Sequence, residues 1–327
     1  MHYRSLGHSG ESLSALGLGC MVMNHGYGQP DEPGSLATLH QALDLGINFW
    51  DTADVYAQGE NEKLISRVLR PNRNRIFLAS KFGLLPGASG TFMGVDGSPA
   101  YVKKAVVGSL QRLQTDVIDL YYLHRLDPKI PIEETVGALA DLVQEGKIRY
   151  IGLSEVSAQT LQRAHATYPI SALQSEYSIL TREVEKEILP VCKRLGITFV
   201  PFSPLSRGLL SNTLDTASLT ASDFRKKLPR YQATYEKNNS ALVHEFAQLA
   251  KSCQATAAQL ALAWLLYQGE NIIPIPGTKK VKYLIENAGA VDISLDTVTL
   301  NQIEELLRKY PETGPRYDEA NDRLVDR

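Results

Sequence analysis

Residues 47–56 read INFWDTADVY: a short, mostly apolar run closes on an aspartate, Asp51, and a tyrosine, Tyr56, follows five positions later. Two more apolar runs stop in the same way. Residues 76–83, IFLASKFG, carry Lys81 near their end, and residues 117–125, VIDLYYLHR, carry His124. Burying a lone ionisable group without a partner is unfavourable, so such groups at successive strand ends imply that the ends meet in one shared site. The architecture that gathers strand ends on one rim is the eight-fold β/α barrel, whose active sites lie at the C-terminal mouth.

Working outward from these runs, strand-like and helix-like stretches alternate along the whole chain, the pattern of parallel strands joined by helical crossovers. The strand-like runs are 14–20 (SALGLGC), 47–51, 76–82, 117–124, 150–154 (YIGLS), 172–177 (ALQSEY), 198–203 (TFVPFS) and 271–277 (NIIPIPG). Eight runs suit a closed (β/α)8 TIM barrel, read here as a single domain over residues 1–327. Between them lie stretches with apolar residues at helical spacing, and Gly46, Gly146, Gly196 and Gly269 stand where left-handed helix caps are expected. Two segments lie outside the repeat. Residues 1–16, with a glycine break at HSGES, predict an N-terminal β-hairpin that plugs the bottom. Residues 209–240 form a long polar loop after strand 7, and connections of that length are usually functional.

Composition narrows the class of partner. The 327 residues carry a formal net charge of -2 and are 43% hydrophobic, enough for a sizeable core and without the basic patch that nucleic acid would require. No run approaches the ~20 apolar residues of a membrane span. The expectation is a soluble, cytoplasmic protein acting on a small molecule. Cys20, Cys192 and Cys253 have neither disulfide nor metal-site spacing. His40, His165 and His244 fall within helix-like stretches rather than at strand ends, which speaks against a metal-dependent isomerase or lyase.

Asp51, Tyr56, Lys81 and His124 make chemical sense together. A phenol titrates near pH ~10 and needs help to exchange a proton at working pH. A lysine kept charged by Asp51 is expected to lower the Tyr56 pKa, while a neutral His124 can hydrogen-bond a carbonyl oxygen beside the phenol. Singly, each has a plain structural explanation, such as a cap for Asp51 or a buried structural histidine for His124. Four complementary groups at consecutive strand ends are hard to explain that way.

The segments carrying these residues, with 148–161 (IRYIGLSEVSAQTL), 173–180 (LQSEYSIL) and 200–210 (VPFSPLSRGLL), closely resemble the aldo-keto reductases. The resemblance runs almost end to end. It implies a β/α barrel that reduces aldehydes or ketones with hydride from NADPH bound without a Rossmann domain, Tyr56 being the proton donor, Asp51 and Lys81 tuning it and His124 orienting the carbonyl. By the same resemblance Ser154 and Gln174 hold the nicotinamide carboxamide and Phe202 stacks on its ring, with Gly19, Cys20 and Met21 alongside. Glu155 replaces the usual Asn and is expected to accept from the carboxamide. Ser203, Leu205, Arg207 and Gly208 resemble the loop over the pyrophosphate, with Arg207 adding charge. Gly277, Thr278 and Lys279 resemble the segment around the 2′-phosphate, next to Lys280 and Lys282, and Glu286 and Asn287 lie towards the adenine. Tyr283 stands where many members carry Arg or Gln. The small-molecule carbonyl substrate is expected to meet Met21, Tyr27, Phe82, Arg125 and the long loop from Phe224 to Tyr235. Members of the family also serve as redox-sensing regulatory barrels with little turnover, which is the alternative reading.

Overall fold

The computed structural model describes residues 1–24, 26–87, 92–216, 219–220 and 223–326. It begins with an antiparallel hairpin of β1 (Tyr3–Ser5) and β2 (Ser12–Ser14), turned through Gly7 and Gly10 at positive φ. Leu6 and Leu13, from this hairpin, are fully buried in one cluster with Phe49, Phe77, Leu120, Tyr122, Val200 and Ile273, which fill the interior of the barrel. Backbone N–H groups of Gly7 and Ser14 donate to Thr198 Oγ1 and Asn48 Oδ1, both at 2.7 Å and both at strand starts. The hairpin therefore closes the bottom, as expected.

Seven parallel strands follow: β3 (Leu18–Gly19), β4 (Phe49–Asp51), β5 (Phe77–Phe82), then, after the short antiparallel pair β6 (Leu84–Pro86) and β7 (Phe92–Val95), β8 (Ile118–Leu123), β9 (Ile148–Ser154), β10 (Ile170–Glu176) and β11 (Thr198–Phe202). Their order in the sheet is β11-β10-β9-β8-β5-β4-β3, each next to its predecessor in the chain. The eighth run departs from expectation. Residues 271–277 touch both edge strands through single bridges, Phe199 with Ile272 and Gly19 with Gly277. Ile273 and Ile275 N–H groups donate to Phe199 and Pro201 carbonyls, whereas on the other side Gly17 and Gly19 donate to Pro274 and Pro276. Prolines have no N–H to return, so the barrel is closed by this segment without a regular eighth strand.

Around the sheet lie α1 (Glu32–Asp44), α2 (Glu60–Leu69), α3 (Pro99–Leu113), α4 (Ile132–Gln144), α5 (Ala158–Thr167), α6 (Ile188–Leu195), α7 (Ala233–Ser252), α8 (Ala257–Tyr267), α9 (Val281–Ala288), α10 (Thr297–Lys309) and α11 (Glu319–Asp322). Their starts are written locally: Asp31, Ser98, Ser157 and Thr256 each accept a backbone N–H from the first turn, and Thr256 with Gln259 makes a full capping box. Helix α4 buries Ile132, Val136, Leu139 and Leu142 along one stripe, each such side chain stabilising by about 1.5–3 kcal/mol. Gly46, Gly146 and Gly196 have positive φ as expected, but Gly269 does not, because α8 ends through Gln268 in right-handed geometry. The 209–240 segment is less of a loop than expected, since α7 already starts at Ala233 and short 3-10 turns cover 224–227 and 229–231.

Among the described residues no helix is long and apolar enough to cross a membrane, and no group of three or more His, Cys, Asp or Glu side chains is placed to hold a metal ion.

Candidate active site

Asp51 closes β4, Lys81 is the penultimate residue of β5, and His124 follows β8, so neighbouring strands deliver all three to one rim. Tyr56 comes from the short turn after β4, at the start of a 3-10 segment. Lys81 Nζ lies 2.5 Å from Asp51 Oδ1, donates to the Thr52 carbonyl at 2.7 Å and reaches Tyr56 Oη at 3.4 Å. Gln174, from β10, donates its amide to the other Asp51 oxygen at 2.8 Å. The Tyr56 and His124 rings meet edge to face, with centroids 5.8 Å apart. The four expected side chains are thus brought together, with Gln174 as a fifth member.

Their electrostatics follow from burial. Lys81 is wholly buried, and although burial by itself would lower its pKa, the Asp51 carboxylate and Tyr56 outweigh it and keep the ammonium above its ordinary range. Burial raises the Asp51 carboxyl, opposed by Lys81 and the Gln174 amide. Tyr56 differs from expectation: Lys81 pulls its pKa down, but burial is the larger effect and the phenol stays above its ordinary value. His124 is held well below the usual imidazole range, by burial first and then by the charges of Lys81 and Arg125. It is therefore neutral at working pH. Its Nδ1 is buried without a partner, leaving Nε2 as the nitrogen for a ligand.

These groups open on a cavity of about 750 Å³, within the range of ligand sites. Gly19, Met21, Ser154, Gln174, Phe202, Ser203, Leu205, Arg207, Gly208, Gly277, Thr278, Glu286 and Asn287 all line it, as do Tyr27, Lys280 and Tyr283. Other expected residues sit elsewhere. Cys20 is wholly buried behind the wall, its thiol directed at the Leu18 carbonyl. Lys279 is a brace, donating to the Tyr27 and Gln29 carbonyls at 2.8 and 2.5 Å, whereas its neighbour Lys280 lines the cavity wall, as does Lys227. Phe82 points away from the mouth, wholly buried and stacked on Tyr121 at 5.0 Å. Glu155 does not line the cavity: its oxygens accept from Arg316 at 2.8 and 2.6 Å and from the Glu176 N–H at 2.8 Å. Arg316 and that N–H hold its carboxyl below the ordinary range despite burial. Arg207 reaches the wall but is already paired with Glu176 at 2.9 Å.

Leu84 and Tyr317 were not named from sequence, whereas Asn321 and Leu324 belong to the polar C-terminal stretch 318–327 that the sequence offers as a cover for the cofactor. Leu84, on β6, lines the cavity and packs with Ala53, Val55 and Tyr56; its only signal was a Pro-Gly turn between two short apolar runs. Tyr317, Asn321 and Leu324 bring the C-terminal segment over the mouth. That segment is tied down by the Arg316–Glu155 pair and by Asp326, which accepts from the N–H and hydroxyl of Ser157, at 2.9 Å each.

The arrangement suits an extended dinucleotide. A ring can rest on Phe202 beside Ser154 and Gln174, while Thr278, Lys280 and the start of α9 offer hydroxyl, ammonium and free backbone N–H groups to phosphate oxygens. The model of the aldo/keto reductase family matches residues 15–308. A probable aldo-keto reductase 1 of Glycine max is 45% identical over 316 residues, covering 95% of this chain and 90% of its own. An aldo-keto reductase of Schizosaccharomyces pombe named for NADP(+), yakc, is 43% identical over 313 residues, covering 94% and 92%. Among solved structures, the glycerol dehydrogenase of Gluconobacter oxydans superposes with a TM-score of 0.86 at 29% identity, over 97% of this chain and 98% of that one. An aldo/keto reductase of Klebsiella pneumoniae, solved with NADP and acetate, gives 0.74 at 28% identity over 97% and 99%. Matched across nearly all of the barrel in sequence and in structure, the chain belongs to the aldo/keto reductase family.

Proposed function

We propose that this chain is an NADP(H)-dependent reductase of aldehydes and ketones, working in the cytoplasm, with Tyr56 as the proton donor. The observation that carries the reading is the buried Asp51–Lys81–Tyr56 chain of contacts beside a neutral His124 at the floor of the cavity. The names of the similar proteins, which include NADP(+), support the choice of cofactor. Bound NADPH supplies the hydride.

The chain's own residues do the rest. Ser154, Gln174 and Phe202 position the nicotinamide end, and Lys280 with Thr278 receives the phosphate end. His124 Nε2 donates a hydrogen bond to the carbonyl oxygen and sets it beside the Tyr56 hydroxyl. Because burial keeps the phenol above its ordinary pKa, Tyr56 is protonated at working pH and able to donate. As its proton leaves, the Lys81 ammonium, itself held by Asp51, stabilises the phenolate that forms.

Tyr56→Phe removes the proton donor and little volume. Positioned general acids contribute about 10²–10⁴-fold, so NADPH-dependent aldehyde reduction is expected to fall by that order while NADPH binding, followed by fluorescence, changes little. Retained turnover would overturn the assignment.

A further inference from the structure

The cavity wall contains a cation that the reaction as described does not use. Arg125 follows His124 directly, lines the cavity and is only 9% exposed. Its guanidinium donates to the His124 carbonyl at 3.1 Å, to Ser154 Oγ at 3.3 Å and to Tyr317 Oη at 3.2 Å. All three acceptors are neutral. Among the described residues no carboxylate lies within ion-pair distance of it, although every neighbouring arginine has found one. Arg316 pairs with Glu155 and Arg207 with Glu176, and Arg230 lies 4.0 Å from Glu176. Both glutamates are 1–2% exposed and occupied, so neither is free to turn towards Arg125.

A guanidinium has five N–H donors in a rigid fork matched to a carboxylate. Glu155 is near enough for the charge of Arg125 to lower its pKa, but with that carboxylate held by Arg316 the fork of Arg125 is left to neutral acceptors, and a ligand carboxylate would complete it. Arg125 is also close enough to the reacting groups to lower the pKa of both His124 and Tyr56. An anion beside it would thus sit next to the carbonyl being reduced. Met21, Leu84, Phe224 and Leu324 give the same cavity apolar surface as well.

On the reductase reading above, we propose that the substrate is an oxo-acid: an aldehyde or ketone whose skeleton also bears a carboxylate, which Arg125 binds and so selects. Arg125 is a specificity-determining residue for the reaction, and the carboxylate completes the hydrogen bonds of its fork.

The test compares succinic semialdehyde with its methyl ester, a pair with the same carbonyl and chain but with and without the negative charge, using NADPH and the full chain. The wild type is expected to reduce the acid with at least tenfold higher kcat/KM than the ester. In Arg125→Met that ratio collapses towards one, whatever happens to the rate with the ester. Arg125→Lys, which keeps a charge but loses the fork, retains an intermediate ratio and guards against a variant that does not fold. A ratio near one in the wild type, or one unchanged in Arg125→Met, overturns the proposal while the reductase reading stands. If neither compound is reduced, the reductase reading fails, and calorimetric titration of propionate into the protein with NADP(+) decides the anion site. Binding that weakens at least tenfold in Arg125→Met upholds the site; equal binding, or none in the wild type, overturns it.

Discussion

Replacing Asp51 with Asn exchanges one oxygen for an amide nitrogen and removes the carboxylate that pairs with Lys81. The ammonium lies 2.5 Å from Asp51 Oδ1, and the two side chains are 0% and 3% exposed. Removing one partner of a buried pair costs about 3–5 kcal/mol, because an uncompensated charge is left behind. Asn keeps an acceptor for Lys81, and the burial penalty of the Asp51 carboxylate disappears, so the lower end, about 3 kcal/mol at pH 7, is expected. With a urea m-value of about 3 kcal/mol/M, the unfolding midpoint falls by about 1 M, read from the fluorescence of the buried Trp50 and Trp264. The pH dependence gives a sharper test. In the wild type Lys81 has a raised pKa in the folded state, so its contribution is complete below the unfolded lysine pKa of ~10.4 and is lost only as pH rises through the folded value. In the variant, burial without a counter-charge puts the folded pKa below the unfolded one. The folded state then binds fewer protons, and stability rises with pH towards ~10. The gap between the two proteins therefore narrows from pH 7 to pH 10. A loss under about 1 kcal/mol, or a gap that does not change with pH, would refute the account of a charged, mutually dependent pair.

Two further expectations come from the cofactor side and the C-terminal segment. Lys280→Ala should raise the Kd for NADPH about tenfold, the cost of one charge-assisted contact of ~1.4 kcal/mol, and leave NADH nearly unaffected, whereas Lys279→Ala, which loosens the Tyr27–Gln29 brace, should weaken both cofactors alike; titrations with each decide between these roles. Glu155→Gln should release Arg316 and hasten tryptic cleavage after Arg316 and Arg323. In the wild type the same release is expected on acidification, because Glu155 has a lowered folded pKa, so its contribution is present above the unfolded glutamate pKa and lost as pH falls through the folded value; proteolysis by an acid-active protease across that range measures it.

The barrel and the catalytic floor were legible because their signals are local. Strand runs with a period of their own end in Asp51, Lys81 and His124, and the crossover helices bury stripes that can be counted along the chain. What the sequence hid depends on contacts between distant segments. Glu155 looked like a ligand for the cofactor until Arg316, 161 residues away, claimed it. Phe82 and Arg125 both flank strand ends, yet only the pleat decides that Phe82 faces the helices while Arg125 lines the cavity. Lys279 and Lys280 are neighbours of the same type, and the choice between brace and wall is made by the carbonyls of Tyr27 and Gln29. The balance at Tyr56 was likewise out of reach, since the effect of Lys81 can be read from residue types whereas burial requires the fold.

The prolines of residues 271–277 also act as a key. Ile273 and Ile275 present their N–H groups to one neighbour, while Pro274 and Pro276 present only carbonyls to the other. Slipping the segment by one residue would turn both prolines towards β11, abolishing the two donated bonds there. A slip of one residue is therefore incompatible with the sequence, which helps to set the height at which Gly277 to Lys280 leave the barrel relative to Asp51 and Lys81. Two imino acids thereby calibrate the span between the end of the site that grips phosphate and the end where the carbonyl is reduced.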